Sequence, residues 1–223
     1  QKPAESSIPT SAVPEKSIVV LPFTDLSPQK DQDYFCDGMT EEIIADLSHV
    51  HELLVISRSS AMTFKRSSKT VRDIAKDLNI RYVMEGSVRK DGNDLRITAQ
   101  LIDAANDTHI WAEKYSGKLD NVFDIQEKVS QSILEAMRLK LTPQEKTKIT
   151  IRPIDNVQAY ELHLRARYEM LLLTEDGLGR ALKLIANGLE ILGETEILYA
   201  DMGQVYTLYI GFGIKKEEGI FNK

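Results

Sequence analysis

A mixed α/β domain of order β-α-β-α-β-β-β-α, followed by an all-α segment of helical repeats, is the fold class this sequence predicts. Three observations carry it. The continuous apolar run Ser17-Ile-Val-Val-Leu-Pro-Phe23 is the pattern of a strand covered on both faces. Three stretches between Arg81 and Ser116 read as strands joined by turn chemistry. From Asp155 onward the strand signals cease and apolar residues recur at helical spacing.

Taken in order, residues 1–16 hold Pro3, Pro9 and Pro14 among Ser6, Ser7 and Ser11, with little to pack, and read as an interdomain linker. After the first strand, Thr40 is positioned to cap a helix with Glu41 and Glu42 in its first turn and Met39, Ile43, Leu47 and Val50 on one face. Leu53 to Ser57 reads as a second buried strand. Thr70-Val-Arg-Asp73 opens a helix with a capping-box pattern, Val71, Ile74, Ala75 and Leu78 form its apolar stripe, and Asn79 ends it. A meander of Arg81 to Lys90, Asp94 to Asp103 and His109 to Ser116 follows. In its middle strand Leu95, Ile97, Ala99 and Leu101 alternate with Arg96, Thr98 and Gln100, so one sheet face is polar enough to meet solvent, a ligand or a partner.

Asp120 starts a long amphipathic helix carrying Val122, Ile125, Val129, Ile133 and Met137. Thr142-Pro-Gln-Glu145 sets a cap, an N1 proline and an N3 glutamate in order, marking a fresh helix. Leu178, Ala181, Leu182, Ile185, Leu189 and Leu192 form the next stripe, Gly193 breaks it, and another apolar helix runs from Glu196 to Ile214. The division is therefore a linker over 1–16, an α/β domain over 17–141, a connecting helix over 142–154 and helical repeats over 155–223.

A net charge of -6 argues against a nucleic-acid partner, which needs a surplus of Lys and Arg on one face. No apolar run approaches the roughly 20 residues of a membrane-spanning helix. A single cysteine, Cys36, excludes an internal disulfide and every multi-cysteine metal site. No base stands near it in sequence, so it reads as a packed hydrophobe. His49, His51, His109 and His163 show no metal-ligand spacing, and neither phosphate-binding glycine motif occurs. Catalytic residues, metal and cofactor are accordingly expected to be absent.

Two groups remain as candidate sites. Asp37 and Gly38 follow the first strand, and Arg58, Ser59 and Ser60 follow the second, which places them at the carboxyl edge of a parallel sheet, where α/β proteins bind small ligands. The bland alternative is that these polar residues satisfy their own loop backbone. Arg89, Arg96 and Trp111 on the meander suit an interaction patch, since Arg and Trp are typical anchors, although Trp111 equally suits burial.

The strings Ile18-Val-Val-Leu-Pro-Phe23, Asp37-Gly-Met-Thr-Glu-Glu42, Val55-Ile-Ser-Arg-Ser-Ser60, Asp73-Ile-Ala-Lys-Asp-Leu78, Tyr82-Val-Met-Glu-Gly-Ser-Val-Arg89, Arg96-Ile-Thr-Ala-Gln-Leu-Ile-Asp103, Ile110-Trp-Ala-Glu-Lys-Tyr115 and Val122-Phe-Asp-Ile-Gln126 occur in order. Together they resemble the TolB amino-terminal-like domain of bacterial regulatory proteins, found beside class III adenylate/guanylate cyclase or winged-helix domains. The remainder resembles tetratricopeptide repeats of roughly 34 residues. Ala181 and Gly188 stand at its small packing positions, and Tyr199, Met202, Gly203 and Tyr206 fit the next first helix. Ala166 and Gly203 lie 37 residues apart, which implies a three-residue insertion around Glu175 to Gly179.

The resemblance implies a non-catalytic regulatory module with a protein partner at the repeats, a small ligand as the lesser option, and an effector elsewhere in a longer parent. The alternative it implies is the carboxyl-terminal regulatory half of a class III cyclase. It is compatible with the soluble part of a membrane-anchored parent on the periplasmic or the cytoplasmic side, and with a homodimer formed through an uncapped repeat face.

Overall fold

The computed structural model describes residues 12–213; most of the expected linker, residues 1–11, and the expected helix end at Ile214 lie outside the described residues. The apolar run forms β1 (Ser17–Val20), buried throughout. It pairs in parallel with β3 (Leu54–Val55) on one side and β4 (Tyr82–Asp91) on the other. β2 (Thr24–Asp25) continues along the same side of β4. β4, β5 (Asp94–Asp103) and β6 (Thr108–Lys118) make the antiparallel meander, and the strand order is β3-β1-β4-β5-β6. The mixed α/β fold class read from the sequence is the one observed.

Connectivity decides which face each helix covers. α1 (Asp33–Ser48) links β1 to β3, whereas α2 (Arg58–Met62) and α3 (Val71–Leu78) link β3 back across β1 to β4. Right-handed crossovers that run in opposite directions along a sheet put their helices on opposite faces. α1 therefore packs on one face and α3 on the other, where Ile74 and Ala75 are buried. A 3-10 turn (Leu119–Asn121) leads into α4 (Val122–Ala136), which packs on β5 and β6 beside α1.

Four further helices follow: α5 (Pro143–Ile149), α6 (Val157–Met170), α7 (Glu175–Leu192) and α8 (Glu196–Gly211). α6 packs against α7, α7 against α8, and α6 also against α1, so the helical segment is seated on the α/β layer. Local chemistry sets the boundaries. Thr70, Thr142, Asn156, Thr174 and Thr195 each accept a backbone N–H of the first turn, and Glu145 closes a capping box on Thr142. Asn79 ends α3 in the left-handed region at φ 51°.

Two expectations are corrected. α1 begins at Asp33, not at Thr40, so Asp37 and Gly38 lie inside a helix and not in a loop after β1. Burial of Tyr34, Phe35, Cys36 and Met39 overrides the weak helix preference of this stretch. Thr40 is buried mid-helix, its hydroxyl donating to the Cys36 carbonyl (2.7 Å) and accepting the Phe23 N–H (3.0 Å). The second strand pairs only over Leu54–Val55 at the sheet edge, with Leu54 exposed, because Ser57 already caps α2.

The core behind the sheet is tight. Phe23 is buried across Gly86, where an added Cβ would come within 2.3 Å of its ring. We expect Gly86→Ala to lower stability by about 1–3 kcal/mol through overpacking. The check is a lower urea midpoint at unchanged m-value; an unchanged midpoint would mean that Phe23 has another place to go.

Candidate functional site

Most of the residues singled out for a small ligand are engaged by neighbouring groups within the fold. Asp37, on α1, receives Lys65 Nζ on both carboxylate oxygens at 2.6 and 2.8 Å, while Asp33 receives Arg66 at 3.0 Å. Gly38 faces α6, and an added Cβ would lie 2.5 Å from Leu164 Cδ2. Arg58 sits in α2 with its Nε 3.2 Å from Glu41 Oε2, outside hydrogen-bond alignment, and Glu41 also receives Arg167 of α6. Ser60 turns inward to the α2 cap, its Oγ 3.2 Å from that of Ser57, whereas Ser59 is exposed. The structure thus puts these five residues on two helices, where the charged ones join ion pairs that tie α1 to the α2–α3 connection and to α6.

Strand register sorts the second group. Leu101 pairs with Trp111 and Ile97 with Tyr115, which places Trp111 on the helix-covered face, packed against the core with its indole N–H buried and unpartnered. Arg89 pairs with Arg96 on the opposite face, in line with the pairs Ser87 with Thr98 and Glu85 with Gln100. The three residues do not form one patch, because alternate residues of a strand face opposite ways. The arginines belong instead to an open polar sheet face.

Two grooves run over that face. One of about 620 Å³ is lined by Arg89, Arg96, Ser116, Lys118 and Asn121 together with Asp91 and Asp94. The other, about 410 Å³, lies where Glu85, Ser87, Thr98 and Gln100 meet Phe64 and Lys69 from the α2–α3 connection. A third groove of about 540 Å³ lies between the start of α1 and the α6–α7 pair, lined by Tyr34, Arg165, Tyr168, Arg180 and Lys183. At the residues matched to repeat positions, Ala181 is buried and Gly188 lets Leu198 approach to 3.0 Å of where a Cβ would stand. Gly203 meets nothing within 4 Å, Tyr199 is exposed and Tyr206 half-buried.

The junction between sheet, α1 and α6 holds polar groups that the sequence reading missed. Lys90 is buried on the α1 face and pairs with Glu161 of α6, beside Tyr34, whose hydroxyl also receives Arg165 at 3.1 Å. His163 Nδ1 meets Asp201 Oδ2 at 2.5 Å, joining α6 to α8, and Gln126 of α4 donates to Tyr160 at 2.9 Å. Two were detectable as polar residues at apolar positions: Lys90 shares the parity of Met84 and Val88, and Asp201 stands between Leu198 and Val205 on the buried stripe of α8. Burial pushes the Glu42 carboxyl above its ordinary range and raises Asp46 to about 7 against the help of a Ser130 hydroxyl at 2.8 Å. Cys36 is fully buried, and that burial drives its thiol far above the range of a reactive thiolate. Among the described residues no group of three or more His, Cys, Asp or Glu is arranged to hold a metal ion, and no helix is long and apolar enough to cross a membrane.

Residues 14–136, from just before β1 to the end of α4, match the family described as the HilA/YgeH-like transcriptional regulator, second domain. The chain belongs to this family. The HilA/YgeH-like region thus contains the whole sheet and both layers that cover it. A Rhizobium meliloti (strain 1021) protein provisionally named adenylate cyclase 3 is 41% identical over 172 residues, covering 77% of this chain and 29% of the relative. The chain therefore spans less than a third of that relative's length. Among solved structures, TolB from Acinetobacter baumannii is similar over 54% of this chain and 28% of its own, with TM-score 0.41 and 16% identity. Lipoprotein GNA1162 from Neisseria meningitidis is similar over 57% and 99%, with TM-score 0.40 and 20% identity.

The Asp46 carboxyl sets a pH dependence. Folded, it holds its proton up to about pH 7, whereas the ordinary value is 3.8, so folding takes up a proton between these limits. Stability then falls as pH rises from about 4 through 7. We expect Asp46→Asn to flatten that slope and to gain on the order of 1–2 kcal/mol over the parent at pH 8 with little change at pH 4, after allowance for a carboxyl that is only partly buried. Thermal melts across this range decide it; parallel curves for the two proteins would exclude Asp46 as the group responsible.

Proposed function

We propose that this chain is a non-catalytic regulatory module: the α/β layer and the helical segment bind a protein partner and pass the bound state to an effector domain of a longer parent. The observation that carries this reading is the α1–α6 junction. Gly38 against Leu164, Lys90 with Glu161, and Glu41 with Arg167 make one continuous contact from sheet to helices, so an event on α7 or α8 has a packed route to the sheet. Family membership supports it, since the family's description names a regulator.

In this reading residues 1–16 are a linker, 17–141 the α/β domain, 142–154 the connection and 155–223 a tetratricopeptide-like repeat segment. Its support is the succession of α6, α7 and α8, in which α6 also meets α8, with Ala181 and Gly188 at close helix contacts. Ion pairing of Asp37 and Arg58 disfavours a small-ligand site at that edge and favours the open sheet face and the helices as the binding surfaces.

A second reading is favoured by the 41% identity to the protein provisionally named adenylate cyclase 3: the chain as the regulatory part of a nucleotidyl cyclase whose catalytic domain lies elsewhere in the parent. Both readings expect no cyclic nucleotide from this chain given ATP or GTP with magnesium, and turnover at a cyclase rate would overturn both.

The coupling is tested by hydrogen exchange on Leu164→Ala. Deleting this buried side chain is expected to cost about 2–5 kcal/mol and to lower amide protection in α1 and α7 together. Loss confined to α6 and α7, with α1 as protected as before, would make the helices an independent unit and end the coupling reading.

A further inference from the structure

We infer that the open sheet face around Arg89 and Arg96 binds an acidic segment of a partner polypeptide, one carboxylate being held by both guanidinium groups. This deepens the interaction-module reading and rests on it.

The two arginines stand directly opposite one another in the β4–β5 register, and both are exposed. Like charges at facing positions weaken a strand pair. Several other cations around the sheet have carboxylate partners, Arg81 with Asp103, Lys118 with Asp94, Lys65 with Asp37 and Lys69 with Asp77, whereas Lys114, which pairs with Thr98 on the same open face, has none among the described residues and adds to that face's positive charge. Among the described residues neither Arg89 nor Arg96 has a carboxylate within ion-pair distance, although Asp91 and Asp94 share their face one step along the strands. Both arginines line the groove of about 620 Å³, with the Ser116 hydroxyl and Asn121 amide beside them as further hydrogen-bonding groups. Paired guanidinium forks over a groove match a carboxylate in geometry as well as in charge.

Charge also selects the class of partner. A nucleic-acid strand repeats its negative charge and would carry phosphates over Asp91, Asp94 and Glu85, on a chain whose net charge is -6. A polypeptide with one or two acidic residues between basic or neutral ones avoids that repulsion and offers cations to those same carboxylates.

The test is a selection of random 12-residue peptides on the immobilised chain, followed by fluorescence anisotropy of the enriched sequences against the parent, Arg89→Glu and Arg96→Gln. The expected result is enrichment of Asp or Glu and a loss of affinity of about tenfold or more in either variant. Arg89→Glu gives Arg96 an internal carboxylate, so its melting temperature should be equal to or above the parent's, which separates lost binding from lost folding. The inference is overturned by peptides that lack acidic residues, by peptides indifferent to both variants, by no enrichment at all, or by a 12-nucleotide single strand that outcompetes the peptides at this face. Peptides that dock elsewhere overturn this inference alone, because the interaction-module reading is judged separately by the exchange experiment on Leu164→Ala.

Discussion

The burial of α1 between the sheet and α6 is the constraint on which the rest of the molecule depends. A helix contacted on two sides cannot keep one polar face, and Tyr34, Phe35, Cys36, Met39, Ile43, Ile44 and Leu47 are accordingly buried around much of its circumference. Its remaining polar groups are used in place. Asp33 and Asp37 meet Lys65 and Arg66, Glu41 meets Arg58 and Arg167, and Asp46 meets Ser130. Gly38 has no side chain because Leu164 takes that space. A substitution in α1 is therefore felt by the sheet, the α2–α3 connection and the helical segment at once.

That arrangement explains what the sequence made legible and what it concealed. The meander, α3 and α5 were readable because their signals are local: alternation in Leu95 to Leu101, the Thr70–Asp73 and Thr142–Glu145 caps, and Asn79 in the left-handed region. The first half of α1 was not, because Asp37-Gly38 and Thr40 look like a loop and a cap and become helical only through tertiary burial. For Trp111 the sequence left the patch and burial equally open for a different reason. A register irregularity at Leu101/Ile102 and the exposure of most of β6 blur its alternation, so that only the observed pairing with Leu101 assigns its face.

The open sheet face is itself a consequence of chain topology. Among the described residues only the β3-to-β4 crossover brings a helix, α3, to that side, and its main sheet contact is with β4. The β4–β5 and β5–β6 connections, centred on Gly92 and Asn106, are too short to carry a covering helix. Half of the sheet must then meet water or a partner, which accounts for Ser87, Thr98, Gln100 and the two arginines where the other face carries Val88, Ile97, Ala99 and Leu101.

The polar groups at the α1–α6–α8 junction set how the helices sit more than how strongly they are held. A buried ion pair gives back little of what its desolvation costs, but removing one partner leaves an uncompensated buried charge. Lys90 with Glu161 therefore adds little attraction while disfavouring any seating of α6 that would separate the two, and the buried hydrogen bond between His163 and Asp201 does the same for α8. Moving the helical segment off the α/β layer would separate these pairs, so a partner able to move it must either carry the paired groups along or supply replacements.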